Sequence, residues 1–229
     1  MEKDILIRTR QIQRFFDDYP DVFTPIEQEM VLEYASRRHT DKFVPDVIRE
    51  VYDELGLLSD DQNIYIGFLN LLRKQYNIPE RRIIEVGGGV LPRLGKRISR
   101  IQTTGHITVY DPRLSRYEED TSHLTLSRRR FSSDMSVGKA DLIIGLMPCE
   151  GAQTVIESAT DHGIDFMLAF CEGGPHGDEF DFYEDEEEWL NSMLCLARYS
   201  VEEKKMGKLK VKHLREYGDP YPVIYNSHE

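Results

Sequence analysis

Ile83-Ile84-Glu85-Val86-Gly87-Gly88-Gly89, followed by Ile107-Thr108-Val109-Tyr110-Asp111, decides how this chain of 229 residues is read. The first stretch reads as a buried strand that breaks into glycines, and the second as a strand that ends in an acid. Glycines at such a turn let the backbone approach a ligand closely, and an acid closing the next strand can accept hydrogen bonds from ribose hydroxyls. Together they predict a nucleoside-binding half-fold. Glycine also punctuates ordinary strand-to-helix turns, so the weight of the reading rests on Glu85 and Asp111.

Counting G-x-G-x-x-G from Gly87 gives Gly87, Gly89 and then Pro92. The third glycine, which lets a helix pack tightly on the strand below a pyrophosphate, is missing, and this counts against a dinucleotide such as NAD. Glu85 ends the strand two residues before the first glycine, where a carboxylate is expected to face the ligand and suits a cationic one. The run E-V-G-G-G, with Asp111 26 residues beyond Glu85, resembles the first two motifs of the class I S-adenosylmethionine-dependent methyltransferases. That resemblance implies S-adenosyl-L-methionine as cofactor, with Glu85 serving its amino-acid end and Asp111 its ribose. It extends the cofactor site to Gly87, Gly88, Gly89, Pro112, Asp134, Met135 and Met147, and places Asp134 at the adenine amino group. The chain departs from the family pattern by carrying Leu91 where a last glycine would fall.

The pattern along the chain gives the fold class. Residues 1–80 read as an N-terminal helical extension or cap. Thr24-Pro25-Ile26-Glu27 combines a capping box with a proline at the first helical position, so a helix should start at Pro25 and present Ile26, Met30, Val31 and Tyr34. Pro45 opens another, with Val47, Ile48, Val51, Tyr52 and Leu55 on one side and Gly56 placed to end it. Ser59-Asp60-Asp61-Gln62 is a second capping box, leading into Ile66, Leu69, Asn70 and Arg73. From residue 81 to 229 strand and helix alternate: strands over 83–86, 106–110, a weak third at 124–126 or 130–132, then 141–146 and 165–170, with helices over 92–100, 150–162 and 186–199. Strands over 208–214 and 221–225 close the chain as an antiparallel pair. The expected fold is a doubly wound, mostly parallel seven-stranded α/β sheet with a C-terminal hairpin, the layout that the resemblance implies.

The net charge of -12 and pI near 5.1 disfavour a nucleic-acid partner, because phosphate binding draws on a basic surface. Cys149, Cys171 and Cys195 are odd in number and widely spaced, which points away from a disulfide framework and towards a reducing, cytoplasmic location. No apolar run approaches the roughly 18 residues of a membrane span, so a soluble protein is expected. Cys171, Glu172, His176 and Asp178 are conceivable metal ligands, but the Gly173-Gly174-Pro175 between them fits a turn better, and no metal is expected. Residues 178–188 hold eight acids in eleven positions around Phe180, Phe182 and Tyr183; the run reads as a solvated lead into a helix or as an acidic rim for an amine substrate. Arg128-Arg129-Arg130 reads as solubilising charge or a phosphate contact.

Ligands of such sheets bind outside the carboxyl ends of the strands. One of those ends is Leu146-Met147-Pro148-Cys149-Glu150, where nucleic-acid amino-methylating enzymes carry Asn-Pro-Pro-Tyr or Asp-Pro-Pro-Tyr. Only one proline matches. The activity implied is methyl transfer to a small-molecule or protein acceptor by direct displacement, in which a base is optional; Glu150 and Glu172 are its candidates. A catalytically inactive nucleoside-binding protein and an NAD-dependent oxidoreductase are the alternatives.

Overall fold

The computed structural model describes residues 2–20, 22–36, 46–57, 64–170, 186–216 and 219–228. It divides into two compact units, Met1–Asn63 and Ile64–Glu229, whereas the sequence pattern had set the start of the sheet domain at residue 81. No helix among the described residues is long and apolar enough to cross a membrane.

The first unit contains α1 (Glu2–Asp18), α2 (Pro25–Ser36) and α3 (Asp46–Glu54). The capping box forms: Glu27 accepts the Thr24 N–H at 2.7 Å, and Thr24 Oγ1 accepts the Glu27 N–H at 3.3 Å. The face expected of α2 is only half right. Val31 and Ala35 are buried and Tyr34 stacks edge-on against Tyr52, but Met30 points outward and Ile26 is 73% exposed. α2 packs on α1 through a narrow stripe, and Arg8 donates to the Ala35 carbonyl at 2.6 Å to fix the pair. α3 buries Ile48, Val51 and Tyr52 as its spacing predicts, and Gly56 follows it in the left-handed region. The second capping box, 59–62, lies outside the described residues.

The second unit is a single seven-stranded sheet in the order β3-β2-β1-β4-β5-β7-β6. Its strands are β1 (Arg82–Val86), β2 (His106–Tyr110), β3 (Leu124–Ser127), β4 (Leu142–Leu146), β5 (Asp165–Ala169), β6 (Lys208–Glu216) and β7 (Asp219–Ser227). β1 to β5 pair in parallel, and β7 runs antiparallel to both β5 and β6. β4 and β5 are buried along their whole length, as expected of central parallel strands covered on both faces. The third strand is the 124–126 candidate; 130–132 runs in a loop instead.

Alternate residues of each strand feed two separate cores. Ile83, Ile107 and Ile144 join α4 (Ile64–Gln75) and α5 (Arg93–Ser99), while Ile84, Ile143 and Phe166 join α6 (Ala152–His162) and α7 (Glu186–Glu203). α4 buries Ile64, Phe68, Leu71 and Leu72 rather than centring on Ile66 and Asn70. Neither the β2–β3 connection (111–123) nor the β3–β4 connection (128–141) contains a helix. Single apolar plugs stand in for them: Leu114 on one face, Phe131 and Val137 on the other.

The amino-terminal end of β5 is tied by a polar cluster. Asp165, almost fully buried, accepts from Arg81 Nη1 (2.7 Å) and Asn226 Nδ2 (2.8 Å), and His228 Nε2 lies 2.7 Å from the same carboxylate. The fully buried Asn226 accepts the Phe166 N–H at 2.8 Å, and the Tyr76 hydroxyl donates to the Phe166 and Asn226 carbonyls. The end of α4, β5 and β7 are thereby joined through the buried Tyr76, Asp165 and Asn226, with Arg81 and His228 reaching the cluster from the surface.

Candidate functional site

β1 breaks at Gly87, whose φ of +80° belongs to the left-handed region that glycine tolerates. The turn is held against its neighbours: the Gly87 N–H donates to the Tyr110 carbonyl at 2.9 Å, and any Cβ at residue 87 would stand 2.8 Å from Pro148 Cα. The tips of β1, β2 and β4 therefore meet closely, and a cleft of about 350 Å³ opens outside them. That position is where open sheets of this kind bind ligands. Gly87, Asp111, Pro112, Met147 and Glu150 all line it, so residues from three separate segments are brought together.

Asp111 is only 3% exposed at the floor of the cleft. The Gly89 N–H donates to Oδ2 at 2.9 Å and the Arg113 N–H to Oδ1 at 2.8 Å, while the Arg113 guanidinium spans both oxygens at 3.2 Å. Gly88 and Gly89 act behind the cleft wall rather than on it; Gly89 serves by orienting Asp111. The missing third glycine has a substitute. Gly95, inside α5, lies so near β2 that a Cβ there would be 2.6 Å from a Val109 methyl, giving the close helix-to-strand contact one turn later than the dinucleotide pattern places it. Leu91 is fully buried.

Glu85 does not face the cleft, contrary to expectation. Successive strand residues point to opposite faces, so Val86 lines the cleft and Glu85 turns with Ile83 towards α5. It is 2% exposed, and its Oε2 has no hydrogen-bond partner. Burial pushes its carboxyl up to about 8, helped by the charge of Asp111 and opposed by Arg93 and the Gly95 N–H. At neutral pH it is chiefly a protonated core residue rather than a counter-ion. A carboxyl raised in the folded state lets the native protein hold a proton that the unfolded chain has lost, so stability falls as pH rises from the ordinary glutamate range to about 8. Glu85→Gln, which removes the ionisable group, is expected to abolish that slope, so that it gains stability relative to the parent between pH 5 and pH 8. Melting temperatures of both proteins at pH 5 and pH 8 check this; parallel shifts at the two pH values would refute it.

The β4 tip carries the backbone's irregular part. Met147 (φ 54°) and Cys149 (φ 45°) are both left-handed without being glycine, on either side of Pro148. Such residues persist where surrounding packing over-determines them, and they cluster at ligand sites. Cys149 Sγ donates to the Met147 carbonyl at 3.4 Å, and a short 3-10 turn, Cys149–Gly151, leads into α6. Glu150 pairs with Arg130 across the cleft mouth.

Several lining residues come from outside the motifs. Tyr110 and Phe131 form an edge-to-face pair with centroids 5.4 Å apart, and Arg113 and Arg130 add two guanidinium groups. The arginine run is more than solubilising charge: Arg128 donates to the Ser115 and Glu118 carbonyls at 2.9 and 2.6 Å, pinning the β2–β3 loop, and Arg129 stacks over Tyr110. Asp134 and Met135 do not line the cleft. Asp134 is exposed and bonded to Ser132 in the turn after Phe131, and Met135 packs on the α6 side core. The candidate base Glu172, the conceivable metal ligands Cys171, His176 and Asp178, and residues 178–185 of the acidic run lie outside the described residues. Among the described residues no group of three or more His, Cys, Asp or Glu side chains is placed to hold a metal.

No family model matches the chain, and no curated protein matches it. Among solved structures it is similar to the magnesium protoporphyrin IX methyltransferase of Synechocystis PCC 6803 with bound SAH, at 12% identity over 96% of this chain and 97% of that one, with a TM-score of 0.49. It is also similar to the fibrillarin of Aeropyrum pernix with natively bound S-adenosyl-L-methionine, at 17% identity over 68% and 71% of the two chains and a TM-score of 0.46. A third is a precorrin-6y C5,15-methyltransferase of Geobacter metallireducens, at 11% identity over 72% and 87% and a TM-score of 0.45. Its own strand order and antiparallel terminal hairpin are those of a doubly wound, mostly parallel seven-stranded α/β sheet, the layout expected from the sequence.

Proposed function

We propose that this chain is an S-adenosylmethionine-dependent methyltransferase of cytoplasmic location, acting on a small-molecule or protein acceptor. The observation that carries the reading is the meeting of the Gly87 turn, the buried Asp111 carboxylate and the β4 tip around one cleft. The residues fit such a cofactor: the cleft volume of about 350 Å³ lies within the range of small-molecule sites, its floor offers a carboxylate for a diol, and its wall offers the Tyr110 and Phe131 rings. When bound, the sulfonium supplies an activated methyl group. The chain's own task is then positional. Asp111 holds the ribose, Gly87 lets the backbone approach, and Met147 to Glu150 shape the acceptor's entrance. Holding reactants in line supplies effective molarities of roughly 10⁵ to 10⁸ M in favourable intramolecular cases, so no dedicated base is required. Glu150 would have to leave Arg130 before it could take a proton.

Calorimetric titration with S-adenosylmethionine, S-adenosylhomocysteine and NAD tests the reading, with binding of a sulfur nucleoside and not of NAD expected. Asp111→Ala should weaken binding about ten-fold in a folded protein, the loss expected when charge-assisted hydrogen bonds to the ribose are removed. Tighter binding of NAD would overturn the assignment. The alternative of a nucleoside-binding protein without turnover draws support from the Glu150–Arg130 pair and from a β4 tip with neither amide nor aromatic after Pro148. Cofactor binding without methyl transfer to any offered acceptor would favour it.

A further inference from the structure

We infer that Arg113 is an internal competitor for Asp111, occupying the seat of a ribose diol until a nucleoside displaces it; this rests on the nucleoside reading above. Four donors converge on Asp111, and they are of two kinds. The N–H groups of Gly89 and Arg113 are built into the backbone at 2.9 and 2.8 Å. The guanidinium of Arg113 reaches the same two oxygens at 3.2 Å, one donor to each, from a side chain that is 69% exposed. Charge-assisted N–H···O bonds typically measure about 2.7–2.9 Å, so the side-chain fork is the looser half of the arrangement. A planar fork that gives one hydrogen to each carboxylate oxygen is also the pattern that two vicinal hydroxyls present. Arg113 lines the cleft itself, so its guanidinium stands where a diol approaching Asp111 would have to come.

The consequence follows from population arithmetic. A nucleoside engages Asp111 only in the fraction of molecules whose guanidinium has swung away, and its apparent affinity is reduced by that fraction. Replacing Arg113 with alanine keeps the residue 113 N–H on Oδ1 and removes the competing guanidinium. The pair is exposed on the arginine side, so salt screens it and raises the open fraction.

The test is titration of the parent chain, Arg113→Ala and Arg113→Lys with S-adenosylhomocysteine, and with adenosine against 2′,3′-dideoxyadenosine, at low and high salt. Arg113→Ala should bind S-adenosylhomocysteine and adenosine about ten-fold more tightly, as expected if roughly a tenth of the parent molecules are open. Dideoxyadenosine, which makes no claim on Asp111, should bind both proteins alike. Lysine, a point charge that cannot span both oxygens, should fall between. Salt should tighten diol binding by the parent and leave Arg113→Ala unchanged. In a double-mutant cycle, Asp111→Ala should cost more in the Arg113→Ala background than in the parent, because no competitor is removed along with the acid. Unchanged or weaker diol binding by Arg113→Ala, or equal tightening of the dideoxy ligand, overturns the inference alone. Failure of both proteins to bind S-adenosylhomocysteine overturns it together with the nucleoside reading.

Discussion

Asp165→Ala should lower the melting temperature of the sheet unit by roughly 6–20 °C, taking about 3–5 kcal/mol for breaking a buried charge pair at one partner and about 2–4 °C per kcal/mol for a chain of this size. The substitution leaves the buried Asn226 amide and the Arg81 guanidinium without their shared acceptor. Its pH signature separates it from a simple packing loss. Burial pushes the Asp165 carboxyl up, but hydrogen bonds from Asn226, Arg81 and His228, with the charge of Arg81, outweigh burial and hold it below the ordinary aspartate range. A depressed carboxyl stabilises the folded state fully above its unfolded value and loses that contribution as pH falls through the folded one. The parent's melting temperature should therefore fall more steeply than the variant's below about pH 4, the unperturbed aspartate region. Asp165→Asn, which keeps an acceptor oxygen, should lose less. Parallel pH profiles for parent and alanine variant would show that the cluster holds no ionic contribution.

The second large effect is expected at the turn itself. Gly87→Ala forces a left-handed backbone on alanine, which costs about 1–2 kcal/mol, and sets its Cβ 2.8 Å from a backbone carbon of Pro148. Pro148 is flanked by two residues already in the left-handed region, so it has little freedom to retreat. Overpacking of this kind typically adds about 1–3 kcal/mol, and the separation of the β1 and β4 tips should abolish nucleoside binding. Gly138→Ala is the control: φ there is +57°, but nothing lies within 4 Å of the added carbon, so it reports backbone strain alone. If the two variants melt together and Gly87→Ala still binds S-adenosylhomocysteine, the two tips part without cost.

What the sequence disclosed follows from what each residue is asked to do. The strands were legible because 83–86, 142–146 and 165–169 sit at the sheet centre, where burial on both faces demands largely apolar runs, interrupted here only by Glu85 and Asp165. The glycine turn and Asp111 were legible because backbone approach and strand-end position leave local marks. Glu85 was misplaced although its direction was available: alternation puts it with Ile83, and Ile83 with the helix-covered core. The α2 face was misjudged because a helix packing through Val31 and Ala35 needs only a narrow stripe, leaving Ile26 free to be apolar outside it. Gly95 was marked by its place inside a helical pattern, the usual sign of a close approach. Phe131 and Arg113 left no trace, and Arg130 showed only as part of an arginine run, because loops impose no period; their places depend on pairings made in three dimensions. Met147 was placed at the site by the resemblance, but the left-handed backbone of Met147 and Cys149 was hidden, since neither residue type advertises it.

The two helix-free crossovers have a consequence for how this cleft can diverge. Its near wall, the Gly87 turn and the Pro148 tip, is locked to the sheet register, where any inserted residue would displace a strand. Its far wall, Arg113 and Arg130 to Phe131, hangs from loops, which accept insertions and replacements far more readily than the elements they join. Related chains can therefore exchange what Arg113, Arg130 and Phe131 present to a ligand while keeping the turn and the tip that the sheet locks, so that descent would preserve one wall of the cleft and leave the other open to change.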